Sequence, residues 1–309
     1  MKTNYTLIGD VREKLKELPD KSIQMCVTSP PYYGLRNYED NEEQFGLEKT
    51  PEDFINNLVD VFAEVHRVLK DDGTFWLNLG DSYMRPGTDQ PQQKGKLNSQ
   101  SMNKRYGFDK KHKSKSIKLK PKNILGIPFK VAFALQDWGW ILRQDIIWHK
   151  PNCMPESVKD RFTKNHEYIF LFTKQKNYKF NQILEPLKEN SIKRAEYGWN
   201  GVVVEGRNSP QKMKDMKRFA PKKGKNKRGV WTIPPASYKE AHFAVFPPKI
   251  PELCIEAGSD EGDIVLDCFM GSGTTAMVAQ NMFRKWIGIE LNPDYEKLIQ
   301  KRTAQTVLF

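Results

Sequence analysis

Apolar positions along the chain follow two alternating periods, and the alternation lays out a series of strands and helices. Residues 5–10 (YTLIGD) read as a short strand, 11–18 as a helix, 19–22 as a turn, and 23–28 (IQMCVT) as a buried strand that runs straight into SPPY. Thr50 is placed to cap a helix with Pro51 at its first position, and Phe54, Leu58, Val61, Phe62, Val65 and Leu69 then recur on one face. Asp71, Asp72 and Gly73 end that helix, and 74–79 return as a strand. Further along, 127–138 carry a helical pattern, while 141–148 and 167–173 are strand-like. The last third predicts a helix over 246–257, a strand over 264–267, a helix over 274–282 and a strand over 286–290. There is no internal repeat. Strands alternating with helices predict an α/β domain on a mostly parallel sheet.

Two stretches break the pattern. Residues 84–122, rich in Gln, Lys, Ser and Asn, read as a long mobile loop, and 176–240 have little periodicity and read as a separate region. The charge sits in the same places. Of a net +12 over 309 residues, 84–122 hold twelve Lys/Arg against two Asp, and 207–228 hold ten against one, so the remainder is acidic. Charge runs are usually solvated loops, but two of them on an acidic body favour contacts to a polyanion.

Composition bounds the class. The 38% hydrophobic and 28% charged residues belong to a folded chain, and no apolar run approaches the roughly 18 residues a membrane helix needs. The N-terminal residues lack the apolar stretch of a secretory signal, so the chain is expected to stay in the cytoplasm with its thiols reduced. Cys26, Cys153, Cys254 and Cys268 are far apart with no CxxC pair, so no metal site is expected.

Two motifs carry chemistry. The run IVLDCFMGSGTT at 264–275 is a strand, a glycine turn and a helix start, a design that brings backbone close to a ligand at the carboxyl end of a sheet. Glu290, at the end of the next strand, is placed to accept hydrogen bonds from ribose hydroxyls. A nicotinamide dehydrogenase fits this segment alone, although Ala276 interrupts GxGxxG. The few residues left after Gly273 cannot supply the remaining strands, which must come from the N-terminal part. The second motif is Thr28, Ser29, Pro30, Pro31, Tyr32. Two prolines fix φ and remove two donors, leaving a rigid turn whose acceptors, the Ser29 hydroxyl and Pro30 carbonyl, can face a base amino group while Tyr32 stacks on the base. The same pentapeptide also suits a strand-ending turn or a proline-rich ligand.

Together, VTSPPYYGLR and LDCFMGSGTT resemble the amino-methyltransferases that modify N4 of cytosine or N6 of adenine in DNA, and the motif order is similar to their circularly permuted β group. The resemblance implies an S-adenosylmethionine-dependent methyltransferase fold, a mostly parallel twisted sheet with helices on both faces and an inserted target-recognition region. It assigns 1–175 and 241–309 to the catalytic and cofactor-binding domain, 84–122 to a basic loop and 176–240 to target recognition. By the same resemblance Ser29, Pro30, Pro31 and Tyr32 are catalytic, Asp10 approaches the cofactor's adenine amino group, and Glu290 holds the ribose. Thr28, Asp267, Phe269, Gly271, Gly273 and Thr274 surround the methionine part, and the HFAVFP run, with His242 and Phe243, closes over it. Asp10 also suits a helix N-cap. The WHKP run at 148–151 and NHEY at 165–168 resemble later core motifs of the family; Trp148 suits core packing better than base contact, and His149 and His166 are not needed as bases.

Methylation at cytosine C5 is disfavoured, because the nucleophilic cysteine of that family follows a proline and none here does. Arg85, Arg105, Lys110, Lys111, Arg207, Arg218, Lys222, Lys223 and Arg228 are the candidate DNA contacts. The expected partner is double-stranded DNA, with a companion restriction endonuclease in a restriction-modification setting and a monomer or homodimer as the assembly. Ser29 at the head of the tetrad resembles the N4-cytosine subgroup. N6-adenine methylation, a catalytically inactive DNA-binding protein of the same fold, and a protein or RNA substrate are the alternatives.

Overall fold

The computed structural model describes residues 1–34, 44–84, 119–187, 190, 224–236 and 247–304. In chain order its elements are β1 (Tyr5–Ile8), α1 (Val11–Lys14), β2 (Ile23–Thr28), α2 (Pro51–Val68), β3 (Leu69–Leu79), α3 (Ile127–Trp138), β4 (Ile141–His149), β5 (His166–Thr173), β6 (Leu184–Glu185), β7 (Lys225–Asn226), β8 (Val230–Thr232), α4 (Lys249–Gly258), β9 (Ile264–Asp267), α5 (Thr274–Asn281), β10 (Lys285–Glu290) and α6 (Asp294–Ala304). Eight strands form one sheet in the order β1, β10, β9, β2, β3, β5, β4, β8. The pairs from β1 to β3 are parallel, β5 runs antiparallel to β3 and β4, and β8 pairs parallel with β4.

The local reasons are visible in the sequence. Thr50 Oγ1 accepts the Asp53 N–H at 3.1 Å and Pro51 opens α2, whose Phe54, Leu58, Val61, Phe62 and Val65 are fully buried. Asp81, just past β3, accepts the N–H groups of Gly126 and Ile127 at 3.1 and 3.0 Å and so fixes the start of α3. Helices cover both faces. Phe75 packs on Phe62 of α2, centroids 4.7 Å apart, whereas its neighbour Trp76 points the other way, where a Cβ on Gly258 of α4 would lie 3.0 Å from Trp76 Nε1.

The connections from β2 through α2 to β3 and from β9 through α5 to β10 leave two adjacent strands in opposite directions across the sheet. A crevice therefore opens at the carboxyl ends of β2 and β9, where α/β sheets bind ligands. The chain divides into two compact units, 1–180 with 230–309, and 181–229. Val230–Thr232, inside the aperiodic 176–240 interval, is the edge strand of the large sheet. Within the second unit β6 and β7 pair antiparallel, with Lys225 and Lys227 flanking Glu185. Among the described residues no helix is long and apolar enough to cross a membrane.

Candidate active site

β2 is buried along its whole length and delivers Thr28 and the SPPY turn to the carboxyl edge of the sheet. Pro30 is buried, and Ser29, Pro31 and Tyr32 are half-buried. The Tyr32 ring lies against Gly80, just past β3, so closely that a Cβ there would fall 2.5 Å from a ring carbon. Gly46 approaches the same turn from the other side: its own Cβ would sit 2.8 Å from the Tyr32 carbonyl, and its carbonyl accepts the Gly34 N–H at 2.9 Å. With φ at +92°, Gly46 uses a conformation that side chains disfavour.

The hydrogen bonds around this turn set its protons. The Tyr32 hydroxyl lies 2.7 Å from Glu167 Oε2 and 3.0 Å from Asn78 Oδ1. Asn78, 3% exposed, donates from its amide nitrogen to the Tyr168 carbonyl at 3.1 Å and to Glu167 Oε2 at 3.4 Å, which turns its Oδ1 toward the turn. Ser29 Oγ lies 3.2 Å from that Oδ1, an acceptor only, and 3.5 Å from the Tyr32 hydroxyl, so the nearer Oδ1 is the better acceptor for its one proton. The second Glu167 oxygen pairs with Lys150, whose ammonium sits 4.2 Å above the Trp148 ring. The carboxylate is thereby neutralised and its lone pairs are directed.

The glycine turn abuts this network. Asp267, fully buried, accepts from the Thr28 hydroxyl at 2.5 Å, the Thr275 hydroxyl at 2.6 Å and the Phe269 N–H at 3.1 Å. Burial raises its pKa to about 6, although these three hydrogen bonds pull the other way. Asp267 and Thr28 therefore tie β2 to β9. Gly271 has φ +53°, donates its N–H to Glu290 Oε2 at 2.7 Å, and a Cβ on it would meet nothing within 4 Å. Glu290 Oε1 accepts the Asn292 N–H at 3.0 Å, and burial raises its pKa. Gly273, with φ +84°, is required for a different reason: its Cβ would press on Ile299 of α6 at 3.0 to 3.3 Å. Thr274 is buried beside it and its hydroxyl accepts from Arg302 at 3.0 Å.

Asp10 caps α1, accepting the Arg12 N–H at 2.7 Å and that residue's guanidinium. Burial acts to raise its pKa, but the bonds and charge of Arg12 outweigh it and hold Asp10 below its ordinary value. The Phe45 ring lies between the Arg12 guanidinium, 5.4 Å from its centroid, and the edge of Phe269, also 5.4 Å away. Asp10, Ser29 and Phe269 thus follow the ends of β1, β2 and β9, and Glu290 ends β10, along one edge. At that edge a Cβ on Gly271 would meet nothing within 4 Å, and the Phe269 ring and the carboxylates of Glu290 and Asp10 are only half-buried.

Sequence reasoning did not single out Asn78, Glu167, Lys150, Gly80 or Phe45 for these contacts; NHEY and WHKP marked only the strands that carry two of them. His149 Nδ1 lies 3.1 Å from the Thr232 hydroxyl, and burial first, then Lys164, lowers the His166 pKa. Trp148 is 3% exposed and donates to the Ile233 carbonyl at 2.8 Å, as core packing requires. None of the four cysteines is in a disulfide. His242, Phe243, Arg85, Arg105, Lys110, Lys111, Arg207, Arg218, Lys222 and Lys223 lie outside the described residues, and Arg228 is exposed in the second unit.

The model of the N6/N4 family, described as DNA methylase, matches residues 23–301. The chain belongs to this DNA methylase family. It is 43% identical over 296 residues to the type II methyltransferase M.SmaI of Serratia marcescens, covering 96% of this methylase and 89% of that protein. It is 41% identical over 303 residues to M.Cfr9I of Citrobacter freundii, at 95% and 85% coverage. The fold of the methylase is similar to that of the PvuII DNA methyltransferase, described as cytosine-N4-specific, with a TM-score of 0.63 at 20% identity over 100% of this chain and 91% of that one. It is also similar to a putative DNA modification methylase from Thermus thermophilus solved with S-adenosyl-L-methionine, with a TM-score of 0.59 at 23% identity over 98% and 96%. The sheet with helices on both faces is therefore the S-adenosylmethionine-dependent methyltransferase fold, and S-adenosylmethionine is the family's methyl donor.

Proposed function

We propose that this methylase acts on the exocyclic N4 of a cytosine extruded from duplex DNA. The observation that carries the reading is the proton arrangement at Ser29. Its hydrogen points into the turn, toward Asn78 Oδ1 at 3.2 Å and the Tyr32 hydroxyl at 3.5 Å, so the lone pairs of Oγ, with the Pro30 carbonyl, are left to accept the two hydrogens of a base amino group. Held there, the amino nitrogen turns its own lone pair out of conjugation with the ring. Tyr32, fixed at its hydroxyl by Glu167 and Asn78, offers a rigid face for the base. The cofactor, when bound, supplies an electrophilic methyl group on a sulfonium sulfur. Asp10, Phe269, Gly271 and Glu290, with His242 and Phe243, are assigned to hold it, while Thr28, Asp267, Gly273 and Thr274 shape the turn behind it. The proton passes to water once the nitrogen has become cationic and acidic, so no strong base is needed and neither His149 nor His166 is given a role.

Cytosine is preferred to adenine because Ser29 heads the tetrad, as in the N4 subgroup that it resembles. Residues 176–240, with Arg207, Arg218, Lys222, Lys223 and Arg228, are assigned to recognition of the target sequence. Residues 84–122, with Arg85, Arg105, Lys110 and Lys111, are assigned to the DNA backbone. The type II relatives support a setting with a companion restriction endonuclease. The deciding experiment is transfer of a labelled methyl group to mixed-sequence DNA followed by nucleoside analysis. Labelled N4-methylcytosine is expected; N6-methyladenine would move the reading to the other base, and no labelled nucleoside would leave a DNA-binding protein of this fold.

A further inference from the structure

We propose that the loop at 150–165, between β4 and β5, enters the DNA at the target, with the Phe162 ring taking the space in the base stack that the extruded base leaves. The proposal rests on the base-extruding reading above. Phe162 is 98% exposed, more than any other large hydrophobic side chain among the described residues, and Met154 in the same loop is 86% exposed. Single exposed apolar residues are ordinary. Here the loop around the ring is braced, which an idle surface loop does not need.

The Glu156 carboxylate receives both the Arg161 guanidinium and the Lys164 N–H, the latter at 3.2 Å, closing the loop across its tip. Arg161 also donates to the Phe162 carbonyl at 3.0 Å and lies 4.3 Å over the Tyr83 ring. Lys122 pairs with Asp160 at 2.6 Å. The backbone on both sides of Phe162 is thus held while the ring itself meets only water, so the ring is presented in a fixed direction at little further cost in order.

Its position and charge select the partner. Lys164 Nζ donates to the Asp81 carbonyl at 3.0 Å, next to Gly80, on which the Tyr32 ring lies, and Tyr83 under Arg161 is two residues further on. The loop therefore rests on the same segment that walls the catalytic tyrosine. The acidic groups Glu156 and Asp160 are paired with Arg161 and Lys122, and residues 150–165 hold four Lys/Arg against these two acids, so the loop itself is net basic. An apolar wedge on a net-basic loop beside the extrusion site fits the phosphate-lined, stacked interior of a duplex, into which proteins insert such side chains between base steps.

The test compares Phe162→Ala with the native protein on two duplexes that carry a mapped methylation site, one fully paired and one with the target base mismatched. Loss of the wedge should lower kcat/KM on the paired duplex by about tenfold or more, because the cost of unpairing is no longer offset. On the mismatched duplex, where that cost is already removed, activity should recover to within about threefold of native, and Phe162→Leu should retain most of the native rate on both. Equal losses on the two duplexes, or no loss on either, would overturn the proposal. Failure of the native protein to methylate either duplex would instead overturn the reading on which it rests. Since the ring is almost wholly exposed in the free protein, the thermal midpoint and S-adenosylmethionine binding of the variant should match the native values.

Discussion

Tyr32 carries two separable duties, since its ring lies against Gly80 while its hydroxyl is held by Glu167 and Asn78. Tyr32→Phe keeps the ring and leaves Glu167 paired with Lys150, so steady-state kinetics should show kcat reduced only about three- to tenfold, the worth of roughly one hydrogen bond. Tyr32→Ala removes the stacking face, worth about 1–3 kcal/mol per base, and should lower kcat/KM for DNA by more than the phenylalanine variant does. Equal effects would mean that the ring does not meet the base. TSPPY could be read as a rigid turn with acceptors because all five residues are adjacent. Its proton network was not legible, because Asn78 and Glu167 reach Tyr32 from 46 and 135 residues away through sheet pairing. Phe45 likewise meets Phe269 only after folding.

At the scale of elements, the two glycines of the turn separate by what surrounds them. Gly273→Ala places a Cβ against Ile299 in a left-handed conformation and should cost about 1–3 kcal/mol, measured as a lowered denaturation midpoint. Gly271→Val puts a side chain into the open space beside the turn, and titration with S-adenosylmethionine should show binding lost; full binding would displace the cofactor from this turn. A third element-level test concerns α2, where His66 lies between the rings of Trp138 and Trp140. Burial first, then Lys174, lowers its pKa from 6.5 to about 4. The folded value lies below the unfolded one, so its contribution to stability is complete above about pH 6.5 and is lost as pH falls toward 4. Asp267, raised to about 6, acts in the opposite sense over much of that window, so the measurable quantity is the difference between native and His66→Phe midpoints, which should narrow as pH falls. Most of these elements were legible from period alone. The exceptions are β6, β7 and β8, which lie in the aperiodic 176–240 interval, and α6, which followed no recognised pattern because it buries only Ile299 and Arg302, the latter anchored to Ser272 and Thr274. The helix expected at 11–18 tightens after Lys14 into a short turn at Leu15–Glu17, and β3 begins at Leu69, straight from α2, rather than at 74.

Across the whole molecule, the motifs that the sequence separates by more than two hundred residues meet because β9 pairs with β2. That meeting was argued from chain length, since too few residues follow Gly273 to complete a sheet, and the sheet order supplies the strands from β1, β2 and β3. The basic segments give a prediction at this scale. If they contact phosphates, affinity for duplex DNA should fall by about a hundredfold or more between roughly 50 and 200 mM salt, and an unchanged binding constant would remove their DNA role. The central claim, that the base amino group is handled by Ser29, Pro30 and Tyr32, is tested most directly by solving the protein bound to its duplex and an unreactive cofactor analogue. The expected result is a base swung out against the Tyr32 ring, with its amino nitrogen about 2.7–3.2 Å from Ser29 Oγ and the Pro30 carbonyl. A target base left stacked in the duplex, or one whose amino group points away from that turn, would contradict it.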